Sequence, residues 1–157
     1  MSGKSYKGSC LCGRVKLKVE GQPVAAGYCH CLSCRAWHSA PVNAWTVWPA
    51  AAVSIVDGAE LVRNDYDHLG SSGTSARLWC RHCGSALANR KPRIDMMVVY
   101  AQTLRDSDFV FQPTLHVHYQ ERVLDMRDGL PKFADQPKAF GGSGELIDEP
   151  EKTAWRG

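Results

Sequence analysis

No stretch of this 157-residue sequence approaches the ~18 apolar residues that a membrane-spanning helix needs, so no membrane association is expected. The lead from Met1 to Lys7 has no apolar core. A secretory signal is therefore not expected, and a cytoplasmic location follows by default. Lysine and arginine never run longer than a pair, so the electrostatic footprint of a nucleic-acid binder is missing. Long helices have little room, because eight prolines and glycines such as Gly58, Gly70, Gly73 and Gly84 punctuate the chain. A disulfide framework is also disfavoured: persistent disulfides are rare in a reducing compartment, and seven cysteines is an odd number.

What remains is an ordinary globular composition, 44% hydrophobic and 22% charged, in a length that suits one domain with its own core. Period-two alternation is the commonest pattern. Val15, Leu17 and Val19 alternate with charged residues, and Leu115, Val117 and Tyr119 alternate with His116 and His118. Val53 to Val56 and Met96 to Tyr100 read as short buried strands, and Asp57-Gly58 as a hairpin turn. A helical turn is expected near Leu104-Arg105-Asp106. The fold class is all-β. After Phe140 the sequence Gly-Gly-Ser-Gly leads into an acidic stretch from Glu145 to Glu151. Residues 1–140 therefore read as the folded domain and 141–157 as a flexible acidic tail. Trp155 in that tail is the residue that would dock on a second copy, should the protein be a homodimer.

The cysteines fall in three groups: Cys10-Leu11-Cys12-Gly13, Cys29-His30-Cys31-Leu32-Ser33-Cys34, and Cys80-Arg81-His82-Cys83-Gly84. Pairs two or three residues apart can present thiolates to a tetrahedral zinc ion from one tight turn. In the outer groups a glycine follows the second cysteine, where a positive φ lets backbone N–H groups face the sulfurs. Cys10, Cys12, Cys80 and Cys83 are thus expected to form a closed structural zinc site. The middle group lacks that glycine and offers Cys29, Cys31 and Cys34. Three protein ligands with a free fourth position is the arrangement of a catalytic zinc. Alternatively His38, four residues after Cys34, closes the tetrahedron. With all seven cysteines bound as thiolates to two zinc ions, the formal charge of +3 falls to zero.

The other histidines carry weaker signals. His30, between two ligands, points away from both sulfurs if the chain there is extended. His82 reads as exposed in its turn and His68 as loop, while His116 and His118 share one strand face, either solvated or hydrogen-bonded or, alternatively, a metal pair.

These three groups, in this order and spacing and with Arg35 after Cys34, resemble the glutathione-dependent formaldehyde-activating enzyme family, which shares its domain with centromere protein V. The similarity runs from about Tyr6 to Phe140. It takes in the Ser71-Ser72-Gly73 lead toward Trp79-Cys80 and the late Asp128-Gly129-Leu130-Pro131-Lys132-Phe133. The resemblance implies a β-tent of small antiparallel sheets with two zinc ions per chain. One would sit at Cys10, Cys12, Cys80 and Cys83, the other at Cys29, Cys31 and Cys34. It also implies formation of S-hydroxymethylglutathione from glutathione and formaldehyde, a carbon–sulfur lyase activity. Where much of the family carries a small Gly-Ser-type segment after the Cys-Arg pair, this chain has Ala36-Trp37-His38-Ser39.

A zinc ion with three thiolates is a poor Lewis acid but suits a fourth thiolate, so a small thiol such as glutathione is the expected partner. His38 is the candidate proton donor. Arg35 is placed either to meet a substrate carboxylate or to balance the thiolates. Trp37 and Asn43, with Trp45 and Trp48, either wall the site or pack in the core. The rival functions are a non-enzymatic zinc-scaffolded binding module and a redox or zinc sensor.

Overall fold

The computed structural model describes residues 3–64 and 75–156. His68, Gly70 and the Ser71-Ser72-Gly73 lead lie outside the described residues. In chain order the strands are β1 (Ser5–Ser9), β2 (Lys16–Glu20), β3 (Ala25–Cys29), β4 (Asn43–Pro49), β5 (Val53–Asp57), β6 (Val62–Asn64) and β7 (Ala76–Cys80). They continue as β8 (Ala86–Lys91), β9 (Met96–Tyr100), β10 (His116–Val117), β11 (Leu124–Asp125), β12 (Lys132–Phe133), β13 (Leu146–Ile147) and β14 (Ala154–Trp155). Among the described residues one α-helix, α1 (Leu32–His38), stands between β3 and β4. The fold is mostly β, as expected. Among the described residues no helix is long and apolar enough to cross a membrane.

The chain gathers into two compact units, Met1–Ala25 with Thr46–Phe111, and Ala26–Trp45 with Gln112–Gly157. In the first unit β1, β2 and β5 form an antiparallel sheet in that order. A second run is ordered β4-β9-β8-β7-β6. The alternation in β2 sends Leu17 and Val19 into a core that also holds Tyr6, Val15, Trp48, Leu87, Val99 and Leu104. Trp48 keeps its indole N–H satisfied there by donating to the Thr46 hydroxyl at 2.7 Å, which in turn donates to the Val99 carbonyl at 2.8 Å. Trp48 is therefore a core residue and not a wall of the candidate site.

Two local expectations change in this unit. The run Val53 to Val56 was expected to be buried, but β5 is the outer strand of its sheet and Val56 is exposed. Asp57-Gly58 does turn the chain, with φ +70° at Gly58, but it makes no hairpin. β5 pairs with β2, while β6 pairs with β7. The turn instead enters a short 3-10 segment, Ala59–Leu61. Another 3-10 segment, Ala101–Leu104, ends where the helical turn was expected.

In the second unit the strand order is β13-β12-β10-β3. Here β10 runs parallel to both neighbours, pairing His116 with Tyr28, Val117 with Cys29, and His116 with Lys132. At β10 the pairing departs from the antiparallel arrangement that the resemblance implies. The alternation around His116 is cut short as well. His118 adopts φ +54° and begins a 3-10 turn, so it leaves the strand face that His116 shares. Residues 141–156 are also not a loose appendage. β13 pairs antiparallel with β12, and β14 with β11. The Asp135 carboxylate accepts the Ser143 hydroxyl at 2.6 Å, and the Ala134 N–H meets the Glu145 carbonyl at 2.8 Å. Trp155 on β14 is exposed.

Candidate metal centres

The turns after β1 and β7 are built alike. The N–H of Cys10 donates to the Val15 carbonyl and that of Cys80 to the Ser85 carbonyl, each spanning five residues. Gly13 and Gly84 then take positive φ angles of 73° and 76°, and their N–H groups return to the carbonyls of Cys10 and Cys80. The turns face each other, and Leu11 N–H donates to the Ser85 hydroxyl at 2.9 Å. As a result the sulfurs of Cys10, Cys12, Cys80 and Cys83 all lie within 4.8 Å of one another. Zinc–sulfur bonds of ~2.3 Å in a tetrahedron place sulfurs ~3.8 Å apart, so the set fits such an ion.

The electrostatics of the set point the same way. Burial pushes the Cys10 thiol up, but the Val15 N–H and the sulfurs of Cys12 and Cys80 more than offset it, leaving the pKa below the ordinary value. At Cys83 burial is outweighed by the hydroxyl and N–H of Ser85, which bring the thiol down to about 5. Cys12 moves the other way, to about 11: the Arg14 N–H pulls it down, but burial and the Cys10 and Cys83 sulfurs prevail. Neighbouring thiols driven apart in this way are competing for too little positive charge. A divalent cation among them removes the conflict by taking them as thiolates.

The middle group is assembled locally. Cys29 ends β3 and is buried, while Cys31 is the N-cap of α1 and its sulfur accepts the Cys34 N–H at 3.3 Å. Glu121 completes the cap by accepting the Leu32 N–H at 2.7 Å. One helical turn thus brings Cys34 over Cys31, and all three sulfurs lie within 4.8 Å of one another. Hydrogen bonding with Cys29 and Cys34 holds the Cys31 thiol well below the usual range, and the same contacts drive Cys29 up. Among the described residues no fourth cysteine, histidine or carboxylate joins this set. His38, at the end of α1, stands outside it.

The other expected residues are placed as follows. Arg35 Nε donates to the His30 carbonyl at 2.9 Å, bracing the cysteine loop. Trp37 is half-buried on α1, while Asn43 and Trp45 are buried on β4. Gly27 must be glycine, because a Cβ there would meet the Leu115 carbonyl and the Trp45 ring. His82 is exposed, as expected. His30 turns away from the sulfurs into a buried chain that the sequence does not announce. Its Nε2 lies 2.8 Å from His116 Nδ1, and His116 Nε2 lies 2.8 Å from Asp128 Oδ2. Lys132 Nζ then donates to Asp128 Oδ1 at 2.9 Å and to Glu149 Oε1 at 3.3 Å.

The model of the family described as "Glutathione-dependent formaldehyde-activating enzyme" matches residues 5–121, well over half of the chain. The chain belongs to this family. A curated relative, an uncharacterized lyase of Schizosaccharomyces pombe, is 30% identical over 82 residues. That match covers 52% of this chain and 55% of the relative, so the chain spans about half the length of the curated relative it matches. The crystal structure of a Rhodobacter sphaeroides protein is similar in fold, with a TM-score of 0.51 at 23% identity. It covers 64% of this chain and 88% of the other.

Proposed function

We propose that the chain is a zinc-dependent carbon–sulfur lyase that joins glutathione, or a related small thiol, to formaldehyde and releases it again. One observation carries this reading: Cys29, Cys31 and Cys34 converge without a fourth protein donor among the described residues, whereas the other set has four. Cys10, Cys12, Cys80 and Cys83 would hold the structural zinc ion, and Cys29, Cys31 and Cys34 the second. When bound, that second ion supplies positive charge that lowers the pKa of an added thiol from about 8.5 toward neutrality.

The protein's own residues then have defined tasks. Arg35 uses Nε on the His30 carbonyl, and its terminal nitrogens, which make no hydrogen bond among the described residues, would receive a glutathione carboxylate. Trp37 and Asn43 would shape the volume beside α1. In the addition, the thiol sulfur bonds to the carbonyl carbon, the C=O π bond opens, and the thiol proton ends on oxygen. His38 is the residue assigned to carry that proton.

Cobalt-loaded protein tests the fourth position. Glutathione should intensify the thiolate-to-cobalt charge-transfer band, and S-methylglutathione should leave it unchanged. NMR exchange between formaldehyde hydrate and S-hydroxymethylglutathione should run faster with the protein than with its Cys34→Ser variant. Equal exchange rates, or a glutathione response that appears only after His38→Ala, would overturn the proposal.

A further inference from the structure

His30 and His116 are both 0% exposed and Lys132 is 1% exposed, yet none of them belongs to either sulfur set. Burying such groups is costly unless hydrogen bonds satisfy them, and here the bonds run in one line. The direction of that line follows from counting protons. Asp128 Oδ1 accepts from Lys132 Nζ and from the Leu130 N–H at 3.2 Å. Burial raises its pKa, but Lys132 and His116 outweigh that and keep it below the usual carboxylate value. An ionised Asp128 can only accept, so His116 Nε2 carries the proton between them. Burial disfavours a second proton on His116, an effect stronger than the opposing pull of Asp128. Its Nδ1 is then a lone pair, and His30 Nε2–H must be the donor at 2.8 Å. His30 Nδ1 has no hydrogen-bond partner among the described residues, so no acceptor holds a proton there.

We propose that Asp128 and His116 are positioning residues that fix His30 as its Nε2–H tautomer and so clamp the loop of the three-sulfur set. His30 is the residue between Cys29 and Cys31. Its N–H is held by the Val117 carbonyl at 3.1 Å and its carbonyl by Arg35, so with the ring fixed as well, the loop is held on three sides. The far end of the chain is Glu149, which accepts the N–H groups of Asp128 and Gly129 at 2.7 and 3.1 Å. The segment after residue 140 is therefore linked to the cysteine loop by a continuous line of hydrogen bonds. The tautomer assignment is independent of the reaction proposed above. The positioning role rests on Cys29, Cys31 and Cys34 being a metal site.

Histidine 15N NMR on the full zinc-loaded chain reads the tautomer directly. His30 should show a bare Nδ1 and a protonated Nε2 coupled across the hydrogen bond to His116. Asp128→Asn can keep its oxygen toward Lys132 and turn its NH2 toward His116, which reverses every donor in the line. In that variant the bare nitrogen of His30 should move to Nε2. Cobalt retention by the three-sulfur set should fall on the order of tenfold, as when outer partners of a metal site are lost. Retention by the four-sulfur set should not change. A protonated His30 Nδ1 in the unmutated protein overturns the proposal, whatever the variant does. A reversed tautomer with unchanged cobalt retention overturns the positioning role.

Discussion

The four-sulfur set draws on loops far apart in sequence, at Cys10–Cys12 and Cys80–Cys83, whereas the three-sulfur set comes from one stretch, Cys29 to Cys34. An ion held by the first would staple β1 to β7 beside the core around Trp48 and Leu87. Closing a long loop has to overcome chain entropy, so whatever closes it contributes directly to folding. The second needs only a strand end and one helical turn, and a ligand there stabilises little beyond its own loop. Its loop is held from outside, by Glu121 at the helix cap and by the chain that ends at Glu149.

The harshest way to break the comparison is Cys80→Ser against Cys31→Ser. A structural zinc site contributes an apparent ~10–16 kcal/mol, which is as large as the whole stability of a typical domain. Cys80→Ser should therefore abolish the cooperative unfolding transition, while Cys31→Ser should remain folded with a similar melting temperature. Calorimetry of the two variants decides it, and equal melting temperatures would erase the distinction.

A smaller effect is expected from removing residues 143–157. The truncation strips β13 and β14 and leaves Lys132 with one carboxylate in place of two. Losing several hydrogen bonds at ~0.5–1.5 kcal/mol each predicts about 3 kcal/mol of destabilisation. Chemical denaturation should show that loss together with weaker cobalt retention at the three-sulfur set. Unchanged values for both would return the segment to the status of a loose tail.

The smallest effect concerns pH. Hydrogen bonds from Ser143 hold the Asp135 carboxyl down at about 2 in the folded chain. A depressed carboxyl contributes stability that is complete above its unfolded value, near 3.8, and is lost as pH falls through about 2. Asp135→Asn should flatten the stability profile in that window and leave it unchanged near neutrality. An equally steep acid limb in the variant would locate the sensitivity elsewhere.

Both sulfur sets and the inward face of β2 were legible in the sequence, because cysteine spacing and period two are local signals. Helix α1 was not. It buries no residue completely, so it has no amphipathic stripe, and its start is set by the Cys31 cap. The paired strands after residue 140 are two residues each, too short to show alternation beside their glycines. The chain from His30 to Asp128 was invisible for another reason. His30 and His116 are 86 positions apart, and only the parallel pairing of β3 with β10 makes them neighbours. Asp128 and Lys132 were legible only as parts of a late motif, without a role.

The second unit is discontinuous, made of Ala26–Trp45 and of everything from Gln112 onward. Synthesis runs from the N-terminus at ~5–20 residues per second, so for some seconds residues 26–45 exist without β10 and β12. The first unit can gather its four sulfurs as soon as Cys83 has emerged. During that interval Cys29, Cys31 and Cys34 are already close, but His30 has neither His116 nor Asp128 to bond with. A nascent chain thus offers three neighbouring thiols on an unsupported loop, open to oxidation or to a passing metal ion. The arrival of His116 and Asp128 gives that loop its outer support.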